Sequence, residues 1–354
     1  MTVKRFHALD GLRGVCALSV VLFHAANLFK PGSLLPHGYL AVDMFFILSG
    51  FVIALNYETA LQKGLRVGAF LQARGRRLLP IYWLGAAFNI AVFVWMASSG
   101  YYPPGYSGFM IWLGVPLLTL LLLPVFGVPG DGFSPAMLNV TWSLLVEWLV
   151  NSLYAARLFR CRTRTLAAAA AVLWVAMAVA GMFTGRGWCV GISRNDFFTL
   201  GLLRGVPAFL AGVVIFRLHT RNWFAKLPVI APELLFCLWL CIAVVPTATA
   251  TPVFDALAVI ILCPLLVMLL IRSDHQAPAY SKMLGALSYP LYTVHPGIIL
   301  LAQGTPLFGL NYGPQPMRAV FVVMLCVVAA WSVYRLTSLL ASARRQPLAV
   351  TTSA

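Results

Sequence analysis

The sequence predicts an all-α fold, a polytopic bundle of helices set in a lipid bilayer, and three observations carry that prediction. Hydrophobic residues make up 61% of the 354-residue chain and charged residues only 10%. A soluble domain carries about 25% charged residues, so this chain lacks the polar side chains to cover a globular surface. Apolar segments approaching the roughly 20 residues of a spanning helix recur along its whole length with no polar linker between them. Residues 1–345 therefore read as a single membrane domain, with 346–354 a short C-terminal tail expected to be disordered.

Eleven apolar segments stand out, at 13–29, 39–56, 78–98, 108–126, 141–158, 165–184, 197–216, 228–246, 253–271, 284–302 and 318–338. Charge decides their direction, because Lys and Arg collect on the cytoplasmic side. Lys4, Arg5 and Arg13 place the N-terminus inside. The connection holding Lys63, Arg66, Arg74, Arg76 and Arg77 is also inside, as is the stretch Arg157, Arg160, Arg162 and Arg164. With 78–98 leaving the cytoplasm and 141–158 returning to it, segment 108–126 must begin and end outside. Its flanks carry only Asp131, and Gly114 and Pro116 break a clean helix. It reads as a re-entrant or outer-surface segment. Alternation then holds to Arg344 and Arg345, giving about ten spans with both termini cytoplasmic. Bilayer lipid leaves no unpaired backbone at these depths, so the spans are helical.

The net charge of +16 raises the question of nucleic acid, and position answers it. About twenty of the 25 basic residues fall on one side, which assigns them to topology and excludes a nucleic-acid partner. The seven cysteines show no paired spacing and no nearby His cluster. They read as small apolar residues, not as a disulfide framework or a metal site. No cleavable leader is evident, and the first apolar segment is expected to stay in the mature protein.

An ionisable residue inside a span is costly and is a functional candidate by default. His24 lies eleven residues beyond Arg13, about three turns or ~16 Å along one helix face. Glu147 lies about 9 Å from the outer start of its segment, His24 at about 8 Å and Asp43 near 6 Å. Depth alone thus offers His24 as the partner of Glu147. A His–carboxylate pair can take a proton from a hydroxyl, which is general-base chemistry; a polar cluster that only joins helices is the competing reading. Arg204 sits mid-span, where it either balances these carboxylates or holds structure. Arg74 and Arg77, spaced i and i+3, present one face to phosphate or cap a helix at the membrane surface. Tyr292 and His295 share a face in the segment 284–302.

Together these residues resemble a known family. The runs Leu9-Asp10-Gly11-Leu12-Arg13-Gly14, Arg13-x10-His24, Val42-Asp43-Met44-Phe45-Phe46-Ile47-Leu48-Ser49-Gly50-Phe51, Arg74-x-x-Arg77-x-x-Pro80, Trp142-Ser143-Leu144-x-x-Glu147 and Leu287-Ser288-Tyr289-x-x-Tyr292-x-x-His295-Pro296 resemble, in order, the acyltransferase family 3 proteins. These are membrane-bound O-acyltransferases of bacterial surface carbohydrates. The resemblance implies a bacterial cytoplasmic (inner) membrane location and an acyl-CoA co-substrate, most often acetyl-CoA, used from the cytoplasm without a metal. The acceptor would be a carbohydrate hydroxyl, on a surface polysaccharide or a lipid-linked precursor, reached from the outer side. Arg13, Arg74 and Arg77 would contact the phosphates of coenzyme A. His24, with Glu147 and Asp43, would activate the acceptor, and Trp142, Ser143, Arg204, Tyr292 and His295 would line the site. Some relatives carry an appended SGNH-type esterase domain; this sequence ends soon after its last span, so transfer is expected to finish within the membrane domain or with a separate partner. The alternative is a transporter or flippase exporting an acylated or anionic substrate, since buried charges also mark transport paths. The paired repeats common in such folds are not visible here.

Overall fold

In the computed structural model, residues 5–27, 34–100, 108–123, 138–184, 188–189, 197–246, 251–304 and 315–343 are described. The expected outer loops around 101–107 and 127–137, the basic residues Lys30, Arg186 and Arg194, and the tail 346–354 lie outside them. Among the described residues every regular element is helical. In chain order these are α1 (His7–Asn27), α2 (Ala41–Gln62), α3 (Val67–Ser98), α4 (Val115–Leu120), α5 (Leu138–Ala156), α6 (Thr163–Thr184), α7 (Phe197–Thr220), α8 (Pro232–Val244), α9 (Thr251–Leu257), α10 (Cys263–Arg272), α11 (Ser281–Gly304) and α12 (Gln315–Ala343). A π turn at Ala258–Leu262 joins α9 to α10, making one span from Thr251 to Arg272.

Eight of the described helices are long and apolar enough to cross a bilayer, and α5 adds a further 19 residues. The chain is a multi-pass membrane protein. Two segments are shorter than expected. Helix α8 has 13 residues, about 20 Å at 1.5 Å per residue, against a hydrocarbon thickness of roughly 30 Å; the sequence had suggested a full span at 228–246. Segment 108–126 forms a π turn, Met110–Gly114, followed by α4. The eleven residues of these two elements cover about 16 Å, about half the hydrocarbon. Pro116 opens α4 rather than breaking it. The Tyr82 hydroxyl donates to the carbonyl of Thr119, which ties this segment to α3.

Two other boundaries move outward. Helix α1 starts at His7, so Asp10 and Arg13 belong to its first two turns. Helix α3 starts at Val67 and runs 32 residues straight through Pro80. Arg74, Arg76 and Arg77 therefore sit on a helix face and not in a loop. The bundle end that carries them is here called the inner end, after the charge distribution.

The central helices close on one another through small residues, as membrane helices do when apolar side chains have no solvent to escape. A Cβ at Gly50 of α2 would lie 2.0 Å from the carbonyl oxygen of Phe209, and one at Gly212 of α7 would lie 2.0 Å from that of Ile47. The two glycines let α2 and α7 touch backbone to backbone. Helix α11 packs against α1 and α3 and carries two interior prolines, Pro290 and Pro296. Asn89 of α3 compensates the second: its amide donates to the carbonyl of Thr293 (2.9 Å) and accepts from the N–H of Gly297 (3.0 Å). An uninterrupted helix pairs these two backbone groups with each other. His295 stands inside this bridged turn.

The cysteines divide. Cys16, Cys263 and Cys326 are buried, whereas Cys189, Cys237 and Cys241 are exposed.

Candidate active site

Three arginine–carboxylate pairs lie inside the bundle, and they differ in what surrounds them. Arg204 of α7 donates to both oxygens of Asp43 on α2 (2.7–3.2 Å) and to the carbonyl of Tyr39 (2.6 Å), with Trp142 against its guanidinium at 5.6 Å. Both side chains are almost fully buried, at 3% and 0% exposure. Arg217 donates to Glu58 through Nε (3.0 Å), to the carbonyl of Cys161 (2.6 Å) and to that of Phe159 (2.8 Å). The Tyr154 hydroxyl caps the other oxygen of Glu58. Arg217, one residue beyond the apolar segment 197–216, is a buried tie between α2, α5, α7 and the chain at 158–161.

Arg74 is different. It donates through Nη2 to Glu147 (2.9 Å), whose same oxygen accepts from Ser49 (2.7 Å). Its Nε is buried with no partner among the described residues, and the side chain is 8% exposed. Arg74 and Glu147 line a cavity of about 400 Å³ whose walls also include Arg5, Arg13, Arg77 and Lys282 toward the inner end and Val42, Phe45, Ser143 and Tyr292 farther along the bundle. From Lys282 to Tyr292 along α11 the cavity wall is about 15 Å long. Arg13 is held for this cavity: it donates to Asp10 (2.7 Å), to Ser288 (3.0 Å) and to the carbonyl of Gly285 (3.0 Å). Several cations around one buried, part-neutralised arginine make a site for an anionic group, and guanidinium suits phosphate by its paired donors.

The geometry regroups the residues singled out by sequence. Glu147 was set by depth beside His24; it pairs with Arg74 and Ser49 instead and so belongs with the inner arginines. The reason is that α3 begins earlier than expected, which carries Arg74 within reach of the middle of α5. Asp43 faces Arg204, not His24. Arg204 and Trp142 stack on each other behind the cavity wall, whereas Ser143 and Tyr292 line it, joined by a hydroxyl–hydroxyl bond of 2.6 Å.

His24 meets His295. Their rings stack at 5.3 Å, and His24 Nδ1 lies 3.2 Å from His295 Nε2. His295 Nδ1 lies 3.1 Å from the carbonyl of Leu291, one turn back on α11. A carbonyl only accepts, so His295 carries its proton on Nδ1 and its Nε2 is the acceptor. His24 then donates from Nδ1, and its Nε2 keeps a lone pair. No described residue bonds that nitrogen. This is the arrangement of an oriented imidazole able to take a proton.

Three buried residues sit behind this pair unannounced by any spacing. His37 Nδ1 lies 2.8 Å from Asp255 Oδ1, and the Tyr39 hydroxyl donates to Asp255 Oδ2 (2.8 Å). Phe23 packs against both Tyr39 and His24 and separates that network from the histidine pair. Asp255 falls inside the apolar segment 253–271, so depth alone marks it as an intramembrane acid; its partner is 218 residues away.

A multi-pass helical protein with a cation-ringed cavity at one level and an oriented histidine pair one turn beyond is built to bring an anionic ligand near a proton acceptor. The comparison with known families says which class this is. The profile of acyltransferase family 3, described as an acyltransferase domain, matches residues 6–335. The chain belongs to that family and is a membrane acyltransferase. Among curated proteins it is 38% identical over 193 residues to protein 2 in the picA locus of Rhizobium radiobacter, a match covering 49% of this chain and 96% of that protein. It is 28% identical over 196 residues to the exopolysaccharide production protein ExoZ of Rhizobium meliloti (strain 1021), covering 55% of each chain. No solved structure gives a significant match.

Proposed function

We propose that this acyltransferase moves an acyl group, most often acetyl, from acyl-CoA in the arginine-lined cavity to a hydroxyl of a carbohydrate acceptor approaching from the opposite side. The observation that carries this reading is Arg74, its buried Nε without a partner among the described residues, in the wall of a cavity that reaches Tyr292, one helical turn short of His295. Arg13, Arg74 and Arg77 hold the phosphates of coenzyme A at the cytoplasmic face, and the pantetheine arm extends toward Tyr292. Glu147 aims Arg74. Asp43 and Arg204 fix α2 to α7 and take no part in proton transfer. A surface polysaccharide or a lipid-linked precursor is the acceptor class, in keeping with the similarity to ExoZ, an exopolysaccharide production protein. The protein then works in the bacterial cytoplasmic membrane.

In the transfer step His24 Nε2 takes the proton of the acceptor hydroxyl, and the oxygen attacks the thioester carbonyl. The C–O bond forms, the C–S bond breaks, and the proton on His24 passes to the leaving thiolate, giving the ester and free coenzyme A. His295, its tautomer set by the Leu291 carbonyl, holds the His24 ring and shares its positive charge.

The test is purified protein with radiolabelled acetyl-CoA and a glycan acceptor. Replacing His24 by Ala should lower transfer by roughly 10²-fold or more, the usual size of a general-base contribution, at unchanged expression. Full transfer activity in His24→Ala would sink the assignment of the base.

A further inference from the structure

The transfer step creates a charge that neither the arginines nor the histidine pair meets. Attack by the acceptor oxygen pushes the π pair of the thioester C=O onto its oxygen, and that negative charge lasts until the C–S bond breaks. Stabilising it takes a hydrogen-bond donor aimed at the carbonyl oxygen. From Ser49 and Ser288 outward the cavity walls are helical. Backbone N–H groups there are bound within their helices, so the donor must be a side chain. His24 is engaged with the acceptor proton, and the arginines with the phosphates.

Ser143 lies one turn, about 6 Å, beyond Glu147 on α5, and Tyr292 the same distance beyond Ser288 on α11. Since Glu147 holds Arg74 and Ser288 holds Arg13, both hydroxyl residues stand just past the charged part of the cavity. The other described wall residues at that level are Val42, Phe45 and Phe46 of α2 and Leu144 of α5, all apolar. Tyr289 also lines the cavity, but it sits three residues nearer the inner end, with Glu147 first among its charged neighbours. Ser143 and Tyr292 are thus the donors present where the pantetheine arm ends, and their oxygens are 2.6 Å apart. The Tyr292 ring is 5.8 Å from that of His295, the partner of His24.

Each hydroxyl carries one proton, and a phenol is a more acidic donor than an alcohol. With Ser143 donating to the phenol oxygen, the phenol proton is left for a third atom, and the first bond of such a chain strengthens the second. We propose that Tyr292 is a catalytic residue that donates its O–H to the thioester carbonyl oxygen, and that Ser143 is the positioning residue that aims it. The phenol proton stays on Tyr292 throughout. The π pair moves onto the carbonyl oxygen as the C–O bond forms and returns as the C–S bond breaks. This rests on the acyl-CoA reading above.

The experiment is a single-turnover transfer assay on purified protein with labelled acetyl-CoA and a glycan acceptor, run beside calorimetric binding of coenzyme A, which lacks the thioester. Tyr292→Phe keeps the ring against Phe45 and His295 and loses only the hydroxyl. Its transfer rate should fall by about 10²-fold, the usual size of one oxyanion donor, while the Kd for coenzyme A stays within about twofold of wild type. Ser143→Ala should slow transfer by about tenfold at the same Kd, and it carries the test if Tyr292→Phe does not fold. In difference infrared spectra, the stretch of a carbon-13-labelled acetyl carbonyl should lie lower when bound to wild type than to Tyr292→Phe, because the donor polarises it. A folded Tyr292→Phe, or failing that a folded Ser143→Ala, that transfers within about threefold of the wild-type rate overturns the proposal. So does a carbonyl stretch that the substitution leaves unmoved, or a loss of rate matched by an equal loss of coenzyme A affinity. If wild-type protein neither binds nor consumes acetyl-CoA, the acyl-CoA reading is what fails.

Discussion

Arg204–Asp43 and Arg74–Glu147 are the same chemical pair in two settings, and the contrast between them separates structure from site. Both join α2 or α3 to a distant helix, and both bury an arginine to 8% exposure or less. Around Arg204, carboxylate, backbone carbonyl and indole ring close over the guanidinium. Around Arg74, Nε is left without a partner beside a cavity. A buried donor without an acceptor costs about 1–3 kcal/mol, more for a charged group, and a ligand that supplies the acceptor recovers it. Intramembrane charge by itself therefore does not mark a site; an arginine with unspent donor capacity in a cavity wall does.

The largest effect should come from breaking the closed pair. Arg204→Met leaves Asp43 as a lone buried carboxylate, a change worth about 3–5 kcal/mol. Loss of monodisperse protein in detergent, or a sharply lowered Tm, is the expected readout. Removing both charges together, Asp43→Leu with Arg204→Met, should restore most of the stability, because a well-packed apolar pair substitutes for a buried ion pair. Acetyl transfer should return with it. A double variant that folds but stays inactive would return Asp43 to the catalytic machinery.

The open pair should respond in the opposite way. Arg74→Met removes the ligand-facing donor but leaves Glu147 bonded to Ser49. The Tm should change little, and the KM for acetyl-CoA should rise by about 10–100-fold, the loss of one charge-assisted bond at roughly 1.5–3 kcal/mol. A collapse in stability with unchanged KM would make Arg74 a second structural arginine and erase the contrast.

Much of this architecture was legible in the sequence, and the parts that were not share a cause. Apolar runs and Arg clusters gave the helices and the weak segment at 108–126, since both signals are local. Helix ends were misplaced where polar residues ride on a helix that outruns the bilayer, as at Arg74 in the 32-residue α3. Partners were the harder matter. Depth singled out His24, Asp43 and Glu147 as intramembrane ionisable residues, of which Asp43 is buried and the other two part-buried, but depth is one coordinate and pairing needs three. Glu147 found Arg74, 73 residues away, and His24 found His295, 271 residues away. Glu58 lies just past the apolar segment 39–56, and nothing local in the sequence points to its buried partner Arg217, 159 residues away.

The smallest expected effect discriminates best between the two settings of Glu147. In the empty cavity its carboxylate offsets the charge of Arg74, so it opposes the phosphate it helps to receive. Glu147→Gln keeps an oxygen for Arg74 and Ser49 but removes that charge, and the Kd for coenzyme A should fall by about threefold, under 1 kcal/mol at a partly screened site. Transfer at saturating donor should hold within a few-fold of wild type. Were Glu147 instead the partner that polarises His24, the same substitution would leave the Kd unchanged and lower kcat by roughly 10²-fold. Calorimetric binding of coenzyme A and a single-turnover transfer assay on one preparation separate these outcomes, because the two settings move different quantities and in opposite directions.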